Sequence, residues 1–386
     1  MIDWEQTAAV HGTPYYLYAL QPILARIALF RRLFPHYQLL YAVKANPAVG
    51  LMAKLSTSLD GADVASAGEM ERAERAGWTR AAVSFAGPGK TDADLVAASG
   101  AGLLVLESLE ELDRLSALGL PCPPLLLRVN PKDRVQAFAV PIAGLPSPFG
   151  FDEEDLGEAL AGLAARGAAE KVRGIHVHAG SQCSSPAAYA RLAKAARSIA
   201  QGLRRQGLPL QQLCLGGGLG APEGLGQQGM DLQALRTALA EVFGPAPELI
   251  LSFELGRALL AEAGTYVVRV LRVKRSRGKR IAVVDGGIHQ LLRAAPALGG
   301  PRKPKARLRN LSAPERPEVE MSLSGPLCTP LDVLAEDVLL PEPQPGDLLA
   351  IEAAGAYGLS MSPIEFLSRP RPRELLLEAD GLSVLG

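Results

Sequence analysis

Between residues 37 and 254, short apolar runs alternate with Ala- and Leu-rich stretches whose charges recur at helical spacing. This rhythm limits the fold more than any other feature, because a helix between two strands returns the chain to the same end of a sheet and makes the strands parallel. The runs at 39–43, 103–106, 125–129, 174–177 and 249–253 are predicted strands, and 67–76, 109–118, 153–165 and 187–206 are predicted helices. Their regularity suits a closed (β/α)8 barrel, TIM-like in plan, better than an open sheet. After Gly256 the texture changes to predicted strands at 265–274, 279–284, 338–340, 348–352 and 375–378, with a Pro- and Arg-rich stretch at 296–317. A strand at 15–18 and a helix at 22–33 precede the barrel, so the mostly-β half takes strands from both ends of the chain. The expected division is an N-terminal segment 1–30 that joins the β domain, a barrel over 31–260 and the β domain proper over 261–386.

The 386 residues are 48% hydrophobic, enough for two real cores, and their 40 basic and 40 acidic side chains cancel. With no net field, neither nucleic acid nor a membrane surface is an expected partner. The basic run Arg302-Lys303-Pro304-Lys305-Ala306-Arg307 has no interleaved aromatics and reads as a solvated loop. Cys122, Cys183, Cys214 and Cys328 form no C-x-x-C pair, which argues against a disulfide scaffold and a zinc site. The opening Met1-Ile2-Asp3-Trp4-Glu5 lacks the basic and apolar regions of a signal peptide, and charges interrupt every apolar run short of a membrane span. A cytoplasmic protein is expected.

Lys44 ends the apolar run Tyr41-Ala42-Val43-Lys44-Ala45-Asn46, where such barrels place catalytic groups; an amine there can form a Schiff base, although a strand-end lysine reaching solvent is the blander reading. Gly216-Gly217-Gly218 follows another strand and could bring backbone N–H groups to a phosphate, or serve as a flexible loop. It lacks the lysine and hydroxyl of a P-loop. His176 and His178 fall on one side of an alternating strand, but no neighbouring acid or third histidine completes a metal site, so no metal is expected. One imidazole could instead stack on an aromatic cofactor with Ser181 at its phosphate. Glu254, Gly256 and Arg257 end a further strand, as catalytic groups or as an internal ion pair. Ser66 and Glu69 have capping-box spacing, which leaves Asp63 just before them harder to dismiss as structural. In the β half, Cys328 is a candidate acid or nucleophile, and Tyr357 sits among small residues that permit close approach.

Taken in order, Tyr41-Ala42-Val43-Lys44-Ala45-Asn46, His178-Ala179-Gly180-Ser181, Gly216-Gly217-Gly218, Glu254-Leu255-Gly256-Arg257, Gly325-Pro326-Leu327-Cys328 and Ala354-Gly355-Ala356-Tyr357-Gly358 resemble the fold-type III pyridoxal-phosphate decarboxylases, the family of diaminopimelate and ornithine decarboxylases. The likeness runs from about residue 15 to 377. It implies a pyridoxal 5'-phosphate barrel plus a β domain, working as a homodimer with active sites at the interface. It also implies that Lys44 holds the cofactor as a Schiff base, His178 stacks on its ring, and Ser181, Gly216, Gly217, Gly218, Gly256, Arg257 and Tyr357 bind its phosphate. Asp63 and Arg128 match residues lining the cofactor, Glu254 matches the carboxylate at the pyridine nitrogen, and Cys328, from the partner subunit, protonates the carbanion. A carboxylate at that nitrogen makes the ring a strong electron sink, which favours decarboxylation over the racemase chemistry of the related barrel with an arginine there. A non-catalytic pyridoxal-phosphate carrier resembles the barrel alone, and the β half with Cys328 counts against it.

Substrate is where the family pattern breaks. An acid usually follows the cysteine and meets the substrate's distal ammonium; here Thr329-Pro330 stands instead. The usual Asn-Tyr-Asn gives way to Ile364-Glu365-Phe366-Leu367, the aromatic expected shortly after Arg293 is absent, Ser147-Pro148-Phe149-Gly150 lacks a basic residue, and Leu255 replaces a common proline. The Cys-Thr-Pro-Leu-Asp and Glu-Phe-Leu signatures resemble the branch that serves siderophore and antibiotic assembly on conjugated or carrier-bound amino acids. Arg293, Cys328, Thr329 and Tyr357 are then the expected substrate contacts, Arg293 meeting a distal carboxylate or carbonyl. Diaminopimelate, ornithine or lysine decarboxylation is the alternative.

Overall fold

Parallel strands buried on both faces need apolar side chains at nearly every position, and the runs that meet this condition pair as expected. The computed structural model describes residues 2–135, 137–292 and 306–385. It forms two compact units, one gathering Met1–Ile23, Pro222–Gln227 and Leu259–Gly386, the other Leu24–Ala221 and Gln228–Ala258.

The helix Trp4–His11 and strand β1 (Tyr15–Ala19) belong to the first unit, and the chain then builds the second. Strands β2 (Tyr37–Ala42), β3 (Gly61–Val64), β4 (Val83–Phe85), β5 (Leu103–Leu106) and β6 (Leu125–Asn130) pair in parallel in that order. The short β7 (Val140–Pro141) and β8 (Phe151–Asp152) follow, then β9 (Val172–His176), the two-residue β10 (Gly180–Ser181), β11 (Gln212–Cys214) and β12 (Ile250–Leu255). β6 continues the parallel ring to β9, β11 and β12, and β12 pairs with β2, so eight strands close on themselves as a TIM-like barrel.

Helix caps explain where the connections start. Ser185 accepts from the amide of Ala188 and Pro186 takes the first position of the helix Pro186–Arg205, whose buried residues Tyr189, Leu192, Ala196, Ile199 and Leu203 recur every three or four positions. Ser66 caps Ala67–Arg75 through the amide of Glu69, while the Glu69 carboxylate reaches the amide of Ala65, not that of Ser66. The capping-box spacing is therefore half realised.

In the other unit the pivot is the 13-residue β13 (Gly264–Ser276), followed by β14 (Lys279–Val284), β15 (Leu308–Asn310), β16 (Glu318–Ser324), β17 (Val333–Pro341), β18 (Leu348–Ile351), β19 (Arg373–Glu378) and β20 (Gly381–Leu385). Its first half pairs with β1 and β18, a register shift between Val270 and Arg272 bends it, and its second half pairs with β14. β1 lies between β13 and β19, so strands from both ends of the chain share one sheet over a core of Tyr15, Leu17, Val267, Leu348 and Leu375. Of the basic run, Ala306 and Arg307 are described, and Arg307 pairs with Glu352 and Glu262. Among the described residues no helix is long and apolar enough to cross a membrane.

Candidate active site

Lys44 lies in a 3-10 turn directly after β2, and its Nζ donates to Asp63 Oδ2 of β3 at 2.8 Å. The lysine side chain is 47% exposed and the aspartate 1%, so solvent reaches the pair through the lysine. Asp63 Oδ1 is buried without a partner. Burial and then the charge of Glu254 push the Asp63 carboxyl up to about 6, with Lys44 pulling it down.

Strand register assembles a second cluster on β9, β11 and β12, the last of which pairs with β2. Cys214 of β11 stands across from His176 of β9 and Ser252 of β12, and Glu254 lies two residues beyond Ser252, on the same face. His176 Nε2 lies 3.0 Å from Glu254 Oε1, and the Cys214 thiol donates to that same oxygen at 3.4 Å. Burial raises the Glu254 carboxyl, but His176, Lys44 and His178 outweigh it and hold the group well below the usual carboxylate range. Here the alternating-strand expectation needs correction. β9 ends at His176, and His178 beyond it accepts from the amide of Gly217 at 3.2 Å, so the two histidines serve different partners. The acid that the local sequence lacks arrives from 78 positions away. Among the described residues, His176, Cys214 and Glu254 are also the one group whose metal-ligating atoms lie within 4.8 Å of one another. His178 is pushed down to about 3 by burial and then by the charge of Lys44, so it is neutral near pH 7 and suited to lie against an aromatic ring.

The glycines after β11 are required by crowding. Gly216 and Gly218 take φ of +61° and +82°, and a Cβ on Gly217 or Gly218 would come within 2.3 Å of the carbonyl oxygens of Glu254 and Gly180. The loop is braced from behind by the Tyr189 hydroxyl, which donates to the carbonyls of Leu215 and Gly217 at 3.0 and 3.2 Å. Ser181 belongs to β10, paired with β7. Gly256, where a Cβ would strike Ala45, turns the chain from β12 into the short helix begun by Arg257. Arg128 of β6 is buried, pairs with Glu107 at 2.9 Å and stacks over the Phe149 ring at 4.3 Å.

Lys44, Asp63, Arg128, His178, Ser181, Gly216, Gly217, Gly218, Glu254, Gly256 and Arg257 thus occupy the barrel unit, at or just beyond strand ends. Cys328, Thr329 and Tyr357 belong to the β unit. Cys328 is exposed, and Tyr357 adopts φ +52°. Arg293 lies outside the described residues. His176, Cys214, Glu107 and Tyr189 acquire their roles only through long-range pairing; the period-two placement of His176 was the one local signal for any of them.

Residues 20–261 match the family model described as the pyridoxal-binding domain of pyridoxal-dependent decarboxylases. The chain is 33% identical over 381 residues to L-glutamyl-(BtrI acyl-carrier protein) decarboxylase of Niallia circulans, covering 94% of this chain and 88% of that one. It is 35% identical over 377 residues to a diaminopimelate decarboxylase of Deinococcus radiodurans, covering 96% and 92%. Among solved structures, diaminopimelate decarboxylase from Helicobacter pylori complexed with L-lysine superposes with a TM-score of 0.88 at 28% identity, over 99% of this chain and 96% of that one.

Proposed function

The chain belongs to the pyridoxal-dependent decarboxylase family, and within it we propose a decarboxylase for an amino acid whose distal end is already joined to a conjugate or carrier, serving siderophore or other specialised-metabolite assembly. The chain is a pyridoxal-phosphate-dependent amino-acid decarboxylase, a carboxy-lyase.

The mouth of the barrel fits the cofactor. A buried oxygen of Asp63 has no partner, a half-exposed amine stands beside it, and a carboxylate and a neutral imidazole complete the set. Bound there, pyridoxal phosphate supplies an electron sink for the pair left when CO2 departs. On this reading Lys44 holds the group through its amine and Asp63 orients that amine. Glu254 holds a proton at the ring nitrogen, and His178 lies on the ring. Ser181, Gly216, Gly217, Gly218, Gly256, Arg257 and Tyr357 take the phosphate, and Arg128 lines the site. Cys328, supplied across a homodimer interface, returns the proton after CO2 leaves, and Arg293, Thr329 and Tyr357 meet the substrate.

One observation carries the substrate assignment. The next acid along the chain after Cys328 is Asp332, and its two carboxylate oxygens accept from the amides of Ile288 and Leu327, each at 2.8 Å. At 3% exposure it braces its own segment. The Thr329 hydroxyl oxygen accepts from the amide of Leu331 at 3.3 Å and carries no charge. The segment therefore offers no carboxylate to a terminal ammonium, whose desolvation unpaired costs several kcal/mol. The relative that acts on a carrier-protein glutamyl group supports the same reading. The diaminopimelate decarboxylases at comparable identity favour the second reading, a free diamino acid.

Measuring CO2 release from free meso-diaminopimelate, ornithine and lysine beside a carrier-protein glutamyl thioester separates the two. Turnover of the thioester alone supports the proposal, and efficient turnover of any free diamino acid defeats it.

A further inference from the structure

Glu254 is held by two donors on a single oxygen. His176 Nε2 stands 3.0 Å from Oε1, and the ionised carboxylate can only accept, so the imidazole nitrogen carries the proton. His176 Nδ1 is buried without a partner, which leaves Nε2 as the working end of the ring. The Cys214 thiol donates to Oε1 at 3.4 Å and accepts from the amide of Gly216, also at 3.4 Å. Burial, with Glu254 next, raises the Cys214 thiol well above its usual range, so it remains a protonated donor. The three side chains come from β9, β11 and β12, and register alone brings them together. All three are buried, where the low local dielectric strengthens such bonds.

We propose that His176, with Cys214, is a positioning residue for Glu254: the two donors fix the carboxylate in its ionised form and orientation, and thereby set how firmly a proton is held at the cofactor's ring nitrogen. Cys214 also ties Glu254 to the amide of Gly216, so the acid at the ring and the glycine loop are braced by one thiol. Donors to an ionised carboxylate favour that form, and buried charge-assisted bonds are roughly twice as strong as neutral ones. The proposal rests on the assignment of Glu254 to the ring nitrogen made above.

The test reconstitutes the full-length enzyme with pyridoxal phosphate labelled with 15N in the ring, and reads the ring-nitrogen chemical shift, the cofactor dissociation constant, kcat and KM. In His176→Leu the shift moves toward that of an unprotonated pyridine, and kcat falls about 10- to 100-fold with KM nearly constant. His176→Gln, which restores an N–H donor, recovers much of both. Cys214→Ala moves the shift the same way by less and keeps the assay decisive if His176→Leu does not fold. Wild-type shifts in both His176→Leu and Cys214→Ala, or in Cys214→Ala alone where His176→Leu does not fold, overturn the proposal, as does a His176→Gln variant no better than a folded His176→Leu. Glu254→Gln serves as the control. If it too leaves the shift unchanged, the assignment of Glu254 to the ring nitrogen fails; if it moves the shift while both other variants do not, only the positioning role fails.

Discussion

Two lysine–carboxylate pairs stand near strand ends of one barrel with opposite characters. Lys44, after β2, is 2.8 Å from Asp63 and 47% exposed, and one oxygen of that buried aspartate has no partner. Lys90, after β4, has a fully buried side chain; its Nζ donates to the carbonyls of Gly87 and Val105 and to both oxygens of Glu111 at 2.8 to 3.1 Å. Three ammonium protons meet three groups, so nothing remains for a ligand. Burial lowers Lys90 and raises Glu111, and the charge and hydrogen bonds between the two oppose both shifts. A lysine paired with a carboxylate therefore makes a strut in one place and, in the other, an accessible amine beside an under-bonded carboxylate. Satisfaction of the hydrogen bonds, more than the salt bridge itself, distinguishes structure from chemistry here.

Removing each lysine should separate the two roles. Lys44→Ala is expected to lower activity by on the order of 10^4-fold or more and to erase the visible absorbance of amine-held cofactor. Its stability should change far less than in the Lys90 variant, because Asp63, already near about 6, takes up a proton when its partner leaves. Lys90→Ala is expected to cost about 3–5 kcal/mol in chemical denaturation, since Glu111 and two carbonyls are left buried and unpaired. Lys90→Met with Glu111→Leu should recover much of that loss. A Lys90→Ala variant as stable as wild type would break the distinction.

The strut was hidden in the sequence and the amine was not, for a physical reason. Lys44 ends an apolar strand run, and strand ends can be read from period and burial. Lys90 follows Gly87-Pro88-Gly89, which reads as an exposed turn, and only the pairing of β4 with β5 brings the Val105 carbonyl and Glu111 to it. The barrel itself was legible because its strands are buried on both faces, and the N-terminal strand of the β unit because Tyr15, Tyr16, Leu17 and Tyr18 form an unbroken apolar and aromatic run. The His176–Cys214–Glu254 cluster was not legible, since its bonds span 40 and 78 positions and depend on register. The capture of Asp332 was not legible either, since one of its two amides, that of Ile288, lies 44 positions away.

The under-bonded carboxylate of Asp63 predicts a pH signature of its own. In the cofactor-free protein Asp63 binds its proton more tightly folded than unfolded, its carboxyl moving from 3.8 to about 6. The folded chain then carries more protons between those values, so its stability falls as pH rises through that window and levels off above it. Asp63→Asn removes this cost. Its stability relative to wild type should climb between about pH 4 and pH 6, by at most on the order of 3 kcal/mol. Urea denaturation at a series of pH values checks this, and a constant offset between the two proteins would show that the carboxylate titrates normally.

The smallest effect concerns a brace that carries no charge. Tyr189 is fully buried, and its hydroxyl holds the carbonyls of Leu215 and Gly217, on either side of Gly216. Tyr189→Phe keeps the ring and loses the bonds, so it should cost about 1 kcal/mol of stability, the usual net worth of such a contact. Because the glycine loop then loses a restraint near the groups assigned to the cofactor phosphate, cofactor affinity should fall a few-fold, while kcat at saturating cofactor stays near wild type. Fluorescence titration of the cofactor and steady-state kinetics read the two separately. A stability loss approaching that of Lys90→Ala would place the glycine loop with the struts, and an unchanged affinity would mean that the loop keeps its shape through the backbone bond from Glu254 to Gly216 and the amide of Gly217 on His178.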